Sequence, residues 1–179
     1  MTGLPEKIVI VHQSLAAAAL PHAFGGALAL AWCTGRARGT IDIDVNVFVG
    51  SDAADAVIAA LPDGVECSPR LQTELRREGQ VRLWWQRTPV DVFLNSTDYY
   101  RAVAARVRWE TFLGERLPFL CCHDLAVFKA FFNRTKDWAD LEEMVAAGTI
   151  EPGSVAAALI GFLGADDERV RRLLSLTPS

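Results

Sequence analysis

The sequence predicts an α/β protein in which a mixed lobe of strands and helices is followed by an entirely helical lobe. Two observations support this fold class. The segment TIDIDVNVFV over 40–49 alternates apolar and polar residues and is rich in β-branched side chains, as in a half-buried strand. From Asp124 onward, the apolar residues have helical spacing. We therefore predict a first lobe over 1–118 and a helical C-terminal lobe over 119–179.

Residues that interrupt regular structure separate the predicted elements of the first lobe. Pro5 suits the first turn of a helix, and Gly25-Gly26 ends the segment that follows. Two strand-like runs flank a turn at Arg87-Thr88-Pro89 and predict a hairpin. The predicted elements are helices over 5–20, 27–33, 51–60 (with Ser51 as N-cap) and 97–107, strands over 40–49, 80–86 and 90–94, and a strand pair around Gly114 within 109–120.

The second lobe contains four predicted helices. Thr135 is a predicted N-cap, and Gly148 closes the helix that follows it. The predicted helices cover 124–133, 136–147, 152–163 and 166–175.

Composition excludes several classes of protein. Of 179 residues, 51% are hydrophobic and 22% are charged, as in folded domains. No run of about 18 apolar residues predicts a membrane span, and the N-terminus lacks a secretory leader, so we expect a cytoplasmic protein with no membrane partner. The four cysteines, at 33, 67, 121 and 122, form no CxxC pair, and we expect buried or reduced thiols. Walker A, GxGxxG and GxSxG motifs are absent from the sequence.

The positive charge is concentrated in one segment. The chain has a net charge of −4, yet residues 70–108 contain eight arginines against four acidic residues, a local charge of +4. A basic face on an acidic protein suits a partner that carries phosphate. A solvated arginine-rich surface explains the same segment equally well.

Two aspartates share one face of the strand predicted over 40–49. Residues i and i+2 of a strand point to the same side, so Asp42 and Asp44 lie together while Ile41, Ile43 and Val45 face the core. Two carboxylates at this spacing repel each other unless a cation lies between them, and a pair of divalent ions is the natural occupant. A solvent-exposed pair is the alternative, although Asp is disfavoured in strands.

A third carboxylate lies on the predicted strand over 90–94. If this strand pairs beside the first, Asp91 reaches the same face within about 5 Å of its cross-strand partner. Three carboxylates on neighbouring strands would form the all-oxygen environment that Mg²⁺ prefers. Upstream, Gly25 and Gly26 stand at a predicted helix start, where backbone N–H groups and the helix dipole favour a phosphate.

The combination of these motifs resembles the nucleotidyltransferase superfamily of DNA polymerase β type. The shared pattern is a glycine pair at a helix start, a D-x-D strand and a third acid on a later strand. Within the superfamily, the chain is more similar to the AbiEii/AbiGii toxin family, which includes the MenT-type toxins. The segments that carry this resemblance are FGGALALAW at 24–32, RGTIDIDV at 38–45, VDVF at 90–93, DLAVFK at 124–129, RTKDWADL at 134–141 and LGADDERV at 163–170.

The resemblance implies a fold, an activity and partners. The fold would be a nucleotidyltransferase mixed sheet with a helical C-terminal lobe, and the reaction would use a nucleoside triphosphate and a two-metal Mg²⁺ site. Some members of the family add nucleotides to the 3′ end of tRNA, block translation and are restrained by an antitoxin. We therefore expect a nucleoside triphosphate, a tRNA or other RNA acceptor and a cognate antitoxin as partners. Many relatives are longer, so this chain has less surface with which to grip an RNA.

The resemblance also gives roles to the acids and glycines. Asp42 and Asp44 would ligate Mg²⁺, and Asp91 would ligate the second ion or act as the base on the attacking hydroxyl. Gly25 and Gly26 would cradle the triphosphate.

Five further residues are candidates for the same site. Arg38 would pair with a phosphate, or it is a surface arginine, and Thr40 suits a strand start but matches a hydroxyl residue that is modified in some relatives. Lys129 would contact nucleotide phosphate, and the alternative is that its ammonium group extends to water. Asp137 would line the site, and Asp140 is a second candidate, although an acid in the first turn also compensates the helix dipole.

Two other functions stay open at this point. A small-molecule nucleotidyltransferase, for example one that acts on aminoglycosides, would share the acids but would need an acidic acceptor pocket, which the basic segment over 70–108 does not favour. A binding module that has lost the chemistry would keep the fold. The presence of all three acids argues against that module.

Overall fold

The computed structural model describes residues 2–95 and 99–177. Within them the chain forms seven strands in one sheet and nine α-helices. The chain divides into two compact units, which we call the sheet unit (Met1–Leu28 with Gly39–Leu120) and the helical unit (Ala29–Arg38 with Cys121–Ser179).

The sheet unit contains all seven strands. They are β1 (His22–Phe24), β2 (Ile43–Val47), β3 (Val65–Glu66), β4 (Gln80–Trp85), β5 (Thr88–Leu94), β6 (Arg108–Phe112) and β7 (Glu115–Phe119). Their order across the sheet is β3-β4-β5-β2-β1-β7-β6. The sheet is mixed, because β2 runs parallel to β5 and β1 runs parallel to β7, while the other pairs are antiparallel.

Five helices begin in the sheet unit. They are α1 (Leu4–Ala17), α2 (Gly26–Thr34), α3 (Ala54–Ala60), which follows a 3-10 turn at Ser51–Ala53, α4 (Pro69–Glu78) and α5 (Tyr99–Ala104). The alternation of apolar and polar residues gives the strands one buried face: on β4, Val81, Leu83 and Trp85 are buried, whereas the residues between them are exposed.

The helical unit is built from the end of α2 and four further helices. These are α6 (Cys122–Phe132), α7 (Thr135–Ala146), α8 (Pro152–Leu163) and α9 (Glu168–Leu174). Helix α6 packs against the other three. The unit differs from the predicted lobe 119–179 by resuming at Cys121 and by including residues 29–38, because Cys33 and Arg38 make contacts with α6 and α7.

Several details of the predicted elements are wrong. The strand predicted over 40–49 shrinks to Ile43–Val47, and Ile41 is 71% exposed instead of facing the core. Thr40 explains the late start, because its Oγ1 accepts a hydrogen bond from the Asp42 N–H (3.2 Å) and so forms a local turn in place of a strand. Gly50 is the N-cap in place of Ser51, and Arg134 is the N-cap in place of Thr135.

Three elements of the structure differ from the prediction because the sequence pattern did not indicate them, and one predicted helix lies partly outside the described residues. Strands β1 and β3 and helix α4 were not predicted, although Ser68 caps α4 and Pro69 begins it. The helix predicted over 97–107 appears as Tyr99–Ala104, and positions 97 and 98 lie outside the described residues.

The expectation of reduced thiols is wrong for two of the four cysteines. Cys33 in α2 and Cys122 at the start of α6 form a disulfide, with their Cα atoms 5.6 Å apart. Cys67 and Cys121 are thiols. A separation of 89 residues carries no local signal, which is why the pairing was not predicted. Within 2–95 and 99–177, no helix is long and apolar enough to cross a membrane.

Candidate active site

Three charged residues lie side by side across one face of the sheet unit. Strand β5 lies between β4 and β2, and the register places Arg82 opposite Asp91 and Asp91 opposite Asp44. Directly opposite residues on paired strands have neighbouring side chains. We call Arg82, Asp91 and Asp44 the charged row. Strand β5, which carries Asp91, thus pairs directly with β2, which carries Asp44, as the prediction for Asp91 requires.

Arg82 binds the acids of this face directly. Its Nε donates to Asp91 Oδ1 at 2.7 Å and its Nη2 donates to Asp91 Oδ2 at 2.6 Å, which is the bidentate arrangement. The same Nη2 lies 3.4 Å from Asp42 Oδ2. The hydrogen bonds to Asp91, with the negative charges of Asp91, Asp42 and Asp44, raise the pKa of Arg82 above its ordinary value, so it stays protonated.

The glycine pair lies directly against Asp44. Helix α2 begins at Gly26, whose φ of +54° is in the left-handed region. A Cβ at Gly26 would overlap the Asp44 carboxylate, so this position excludes a side chain on two grounds. Gly25 donates its N–H to the Asp44 carbonyl at 2.9 Å, and a Cβ there would lie 3.0 Å from Asn46 Nδ2. The glycine turn, the start of α2 and the Asp44 carboxylate therefore form one local structure.

Gly26→Ala should destabilise the protein by about 2 kcal/mol, because it combines a left-handed backbone with an overlap against a carboxylate. Denaturant unfolding measures the loss. Gly35→Ala is the matched control and should cost only about 1 kcal/mol, since Gly35 has a φ of +67° but, apart from its chain neighbours, none of the described residues comes within 4 Å of the added Cβ. If both variants lose the same free energy of unfolding, the close contact between Asp44 and the added Cβ at position 26 does not contribute to the destabilisation.

Asn46 is a polar residue of this face that was not singled out from the sequence. It lies two residues after Asp44 on β2 and is 5% exposed. The signal was available, because the D-x-D alternation continues as D-x-D-x-N and puts Asn46 on the same face.

The donor chemistry of this face fits a divalent cation. Asp42, Asp44 and Asp91 offer only carboxylate oxygens, which are the ligands that Mg²⁺ takes, and the Asp44 carboxylate is held against the start of helix α2. As these side chains stand, no group of three His, Cys, Asp or Glu residues in the described part of the chain is close enough to hold a metal ion. The guanidinium of Arg82 lies between Asp91 and Asp42 instead.

A second cluster of charges lies in the helical unit, where α6 and α7 pack together. Lys129 is buried, with its Nζ 2.5 Å from Asp140 Oδ2 and 3.5 Å from Asp137 Oδ1. Both aspartates are buried too. The alternative in which the Lys129 ammonium extends to water is therefore wrong, because the group ends on two buried carboxylates.

Two half-exposed arginines complete this charge cluster. Arg38 Nη2 lies 2.7 Å from Asp140 Oδ1 and forms an ion pair with it. The angles of this contact do not suit a hydrogen bond, and Asp140 Oδ1 accepts none from the described residues. Arg134 Nε donates to Asp137 Oδ2 at 2.7 Å. Three cations thus face two carboxylates, and both arginines are about half exposed. The cluster has spare positive charge that a phosphate could meet.

Within each unit, the structure brings a set of the predicted residues together. Gly25, Gly26, Asp42, Asp44 and Asp91 lie on one face of the sheet unit, with Thr40 just upstream. The second set is the charge cluster of the helical unit, which contains Arg38, Lys129, Asp137 and Asp140.

Similar solved structures identify the fold. The solution structure of the antibiotic-resistance factor ANT(2'')-Ia matches with a TM-score of 0.54 at 12% identity, over 87% of this chain and 90% of that one. A crystal structure of an antigenic nucleotidyltransferase-like protein from Paracoccidioides brasiliensis matches with a TM-score of 0.52 at 13% identity, over 94% of this chain and 85% of that one. The fold is that of the nucleotidyltransferases.

The nucleotidyltransferase fold confirms the predicted fold class of a mixed sheet followed by helices. No protein-family model and no curated protein matches the chain. The similarity to solved structures, at 12% and 13% identity, concerns the fold alone. The roles of the individual site residues stay predictions.

Proposed function

We propose that the chain is a Mg²⁺-dependent nucleotidyltransferase that transfers a nucleoside monophosphate from a nucleoside triphosphate to an RNA, with the 3′ end of tRNA as acceptor. The observation that carries the proposal is the placement of Asp44 beside Asp91 on neighbouring strands and against the glycine turn that begins α2. Carboxylates for a cation and backbone N–H groups for a phosphate thus meet at one point of a nucleotidyltransferase fold.

The proposal gives each residue on this face of the sheet unit a separate role in the reaction. Asp42, Asp44 and Asp91 would hold Mg²⁺, which when bound neutralises charge on the triphosphate and on the leaving pyrophosphate. The Gly25 N–H is taken by the Asp44 carbonyl, so the N–H groups that orient the phosphates would be those that follow it at the start of α2. The acceptor hydroxyl forms a bond to the α-phosphorus as the bond to pyrophosphate breaks, and Asp91 is the candidate base for the hydroxyl proton.

An RNA acceptor is supported by the surface beside the acids. Arg82 and Trp84 follow each other along the outward side of β4, and Trp84 is 44% exposed. Arg87 is exposed in the turn after this strand. Arginines bind phosphates and an exposed aromatic ring stacks on a base, which together suit a single-stranded RNA end.

The proposal extends to a role as the toxin of a toxin–antitoxin pair. Transfer to the 3′ end of tRNA would block translation, and a cognate antitoxin would restrain the enzyme. Modification of Thr40 is one route for that restraint. The Thr40 hydroxyl accepts from the backbone N–H of Asp42, so a phosphate placed there would disturb the segment that positions the first acid.

A small-molecule acceptor is the second candidate. Its support is the match of the fold to the antibiotic-resistance factor ANT(2'')-Ia over most of both chains. Asp42, Asp44 and Asp91 would hold Mg²⁺ for this reaction as well, and only the acceptor would differ.

The test is incubation of the purified protein with total tRNA, Mg²⁺ and each labelled nucleoside triphosphate in turn. Label should appear on tRNA with one or two of the triphosphates and should disappear with EDTA or in Asp91→Asn. A parallel series replaces tRNA with aminoglycosides. Label on an aminoglycoside and none on tRNA would favour the second candidate. No label on either acceptor, in a protein that also fails to bind Mg²⁺-triphosphate, would leave a binding module without the chemistry.

A further inference from the structure

Arg82 occupies the position at which the acids of the sheet face would need a cation. Its guanidinium donates to both oxygens of Asp91 and approaches Asp42 Oδ2 to 3.4 Å. Asp91 lies opposite Asp44 in the register, so the positive charge of Arg82 also offsets the repulsion within that pair of acids. The single positive charge of Arg82 thus compensates part of the negative charge of the three acids.

A divalent ion and Arg82 would use the same oxygen atoms. Mg²⁺ binds carboxylate oxygens at about 2.0–2.1 Å and demands a near-octahedral set of ligands. Both Asp91 oxygens already accept hydrogen bonds from Arg82, at 2.7 and 2.6 Å. The ion therefore cannot take up Asp91 together with Asp42 while the guanidinium remains between them.

The arginine has room to leave. Its side chain is 52% exposed, and it lies on β4 between the exposed residues Gln80 and Trp84. Rotation about the bonds of its long side chain would turn the guanidinium to solvent without a change in the strand. The fork that fits a carboxylate also fits a phosphate, so a phosphate-bearing substrate offers the released group a new partner.

We propose that Arg82 is an internal counter-ion of the carboxylate site, which a divalent cation must displace in order to bind. This inference rests on the proposed function, because it assumes that the three acids hold the metal. It makes Arg82 a positioning residue that sets the metal affinity of the site. Because metal and phosphate both favour the displaced arginine, each should strengthen the binding of the other.

Calorimetric titration of the nucleotide-free protein with Mn²⁺ or Mg²⁺ alone tests the proposal without any turnover. Arg82→Gln should bind the metal about three- to tenfold more tightly than the wild type, since a half-exposed charged hydrogen bond no longer competes. Arg82→Lys, which keeps the charge and loses the fork, should lie between them. Arg77→Gln is the control, because Arg77 is an exposed arginine whose partner is its neighbour Glu78, and it should bind like the wild type.

A thermal unfolding series separates this role from a structural one. Without metal, Arg82→Gln should unfold at a lower temperature than the wild type, because the acids lose their counter-ion, and added Mn²⁺ should raise its unfolding temperature by more than it raises that of the wild type. If Arg82→Gln binds the metal equally or more weakly than the wild type, and Asp44→Asn does not bind it, the counter-ion role of Arg82 is wrong and the metal site is still supported. No metal binding in the wild type or in Arg82→Gln would overturn both.

Discussion

Asp44→Asn should reduce nucleotidyl transfer by about a thousandfold while the protein stays folded. Asparagine has the same shape as aspartate, so the substitution removes the charge and keeps the packing against Gly26. Loss of a charged metal ligand removes several kcal/mol of transition-state stabilisation, and each ~1.4 kcal/mol is a factor of ten in rate. Asp44 should be the most sensitive of the three acids, because it adjoins both Asp91 and the start of α2.

The measurement is the initial rate of label transfer at saturating Mg²⁺ and triphosphate, together with the midpoint of thermal unfolding. The midpoint should change little, since the variant loses the attraction between Asp44 and Arg82 but also the repulsion between Asp44 and Asp91. Asp63→Asn, at an exposed turn position, is the matched control and should retain full activity. Full activity in Asp44→Asn would remove this carboxylate from the chemistry, and an unfolded variant would show that the carboxylate is structural.

The acids could be predicted from the sequence because strand geometry is local. Alternation fixes the face on which Asp44 and Asp91 lie, and buried neighbours such as Val45 and Val92 confirm that face in the structure, whereas Asp42 precedes β2. The glycine pair could be predicted as well, because only glycine suits a position with a left-handed backbone that touches a carboxylate, as Gly26 does.

The pairing of Arg82 with Asp91 could not be predicted because it depends on the position of a turn. The structure turns at Gln86 and Arg87, which sets Trp85 opposite Thr88 and Arg82 opposite Asp91. A turn at 87–89, as the sequence suggested, would place Asp91 opposite Trp85. Gln86 has a φ of +58°, which is unusual for a residue other than glycine, so the turn carried no composition signal.

The charge cluster of the helical unit was predicted only in part. Asp137 and Asp140 are three residues apart, and helical spacing alone places them on one face of α7. That this face meets Lys129 depends on how α6 and α7 cross, and that Arg38 joins it depends on a contact about 100 residues away in sequence. Packing of this kind depends on the whole core and cannot be predicted from the spacing of residues within one helix.

Lys129→Met should destabilise the protein by about 3 kcal/mol, the largest loss of stability that we expect from a single substitution. Methionine fills the same space without the charge, so Asp137 and Asp140 remain buried and lose the cation that both contact. Arg38 and Arg134 each still hold one of the carboxylates, which limits the loss. Urea unfolding measures it, and Lys136→Met on the exposed side of α7 is the control, with an expected change within about 0.5 kcal/mol.

A second substitution distinguishes the loss of charge pairing from the loss of packing. Asp140→Asn in the Lys129→Met background removes the carboxylate that lies nearest to the missing ammonium group. If buried charge is the cause, the double variant should recover part of the stability, since a neutral amide costs less to bury than an unpaired carboxylate. If the double variant loses the sum of the two single effects, the lysine and the aspartate act independently. Their hydrogen bond would then contribute little to the stability of the helical unit.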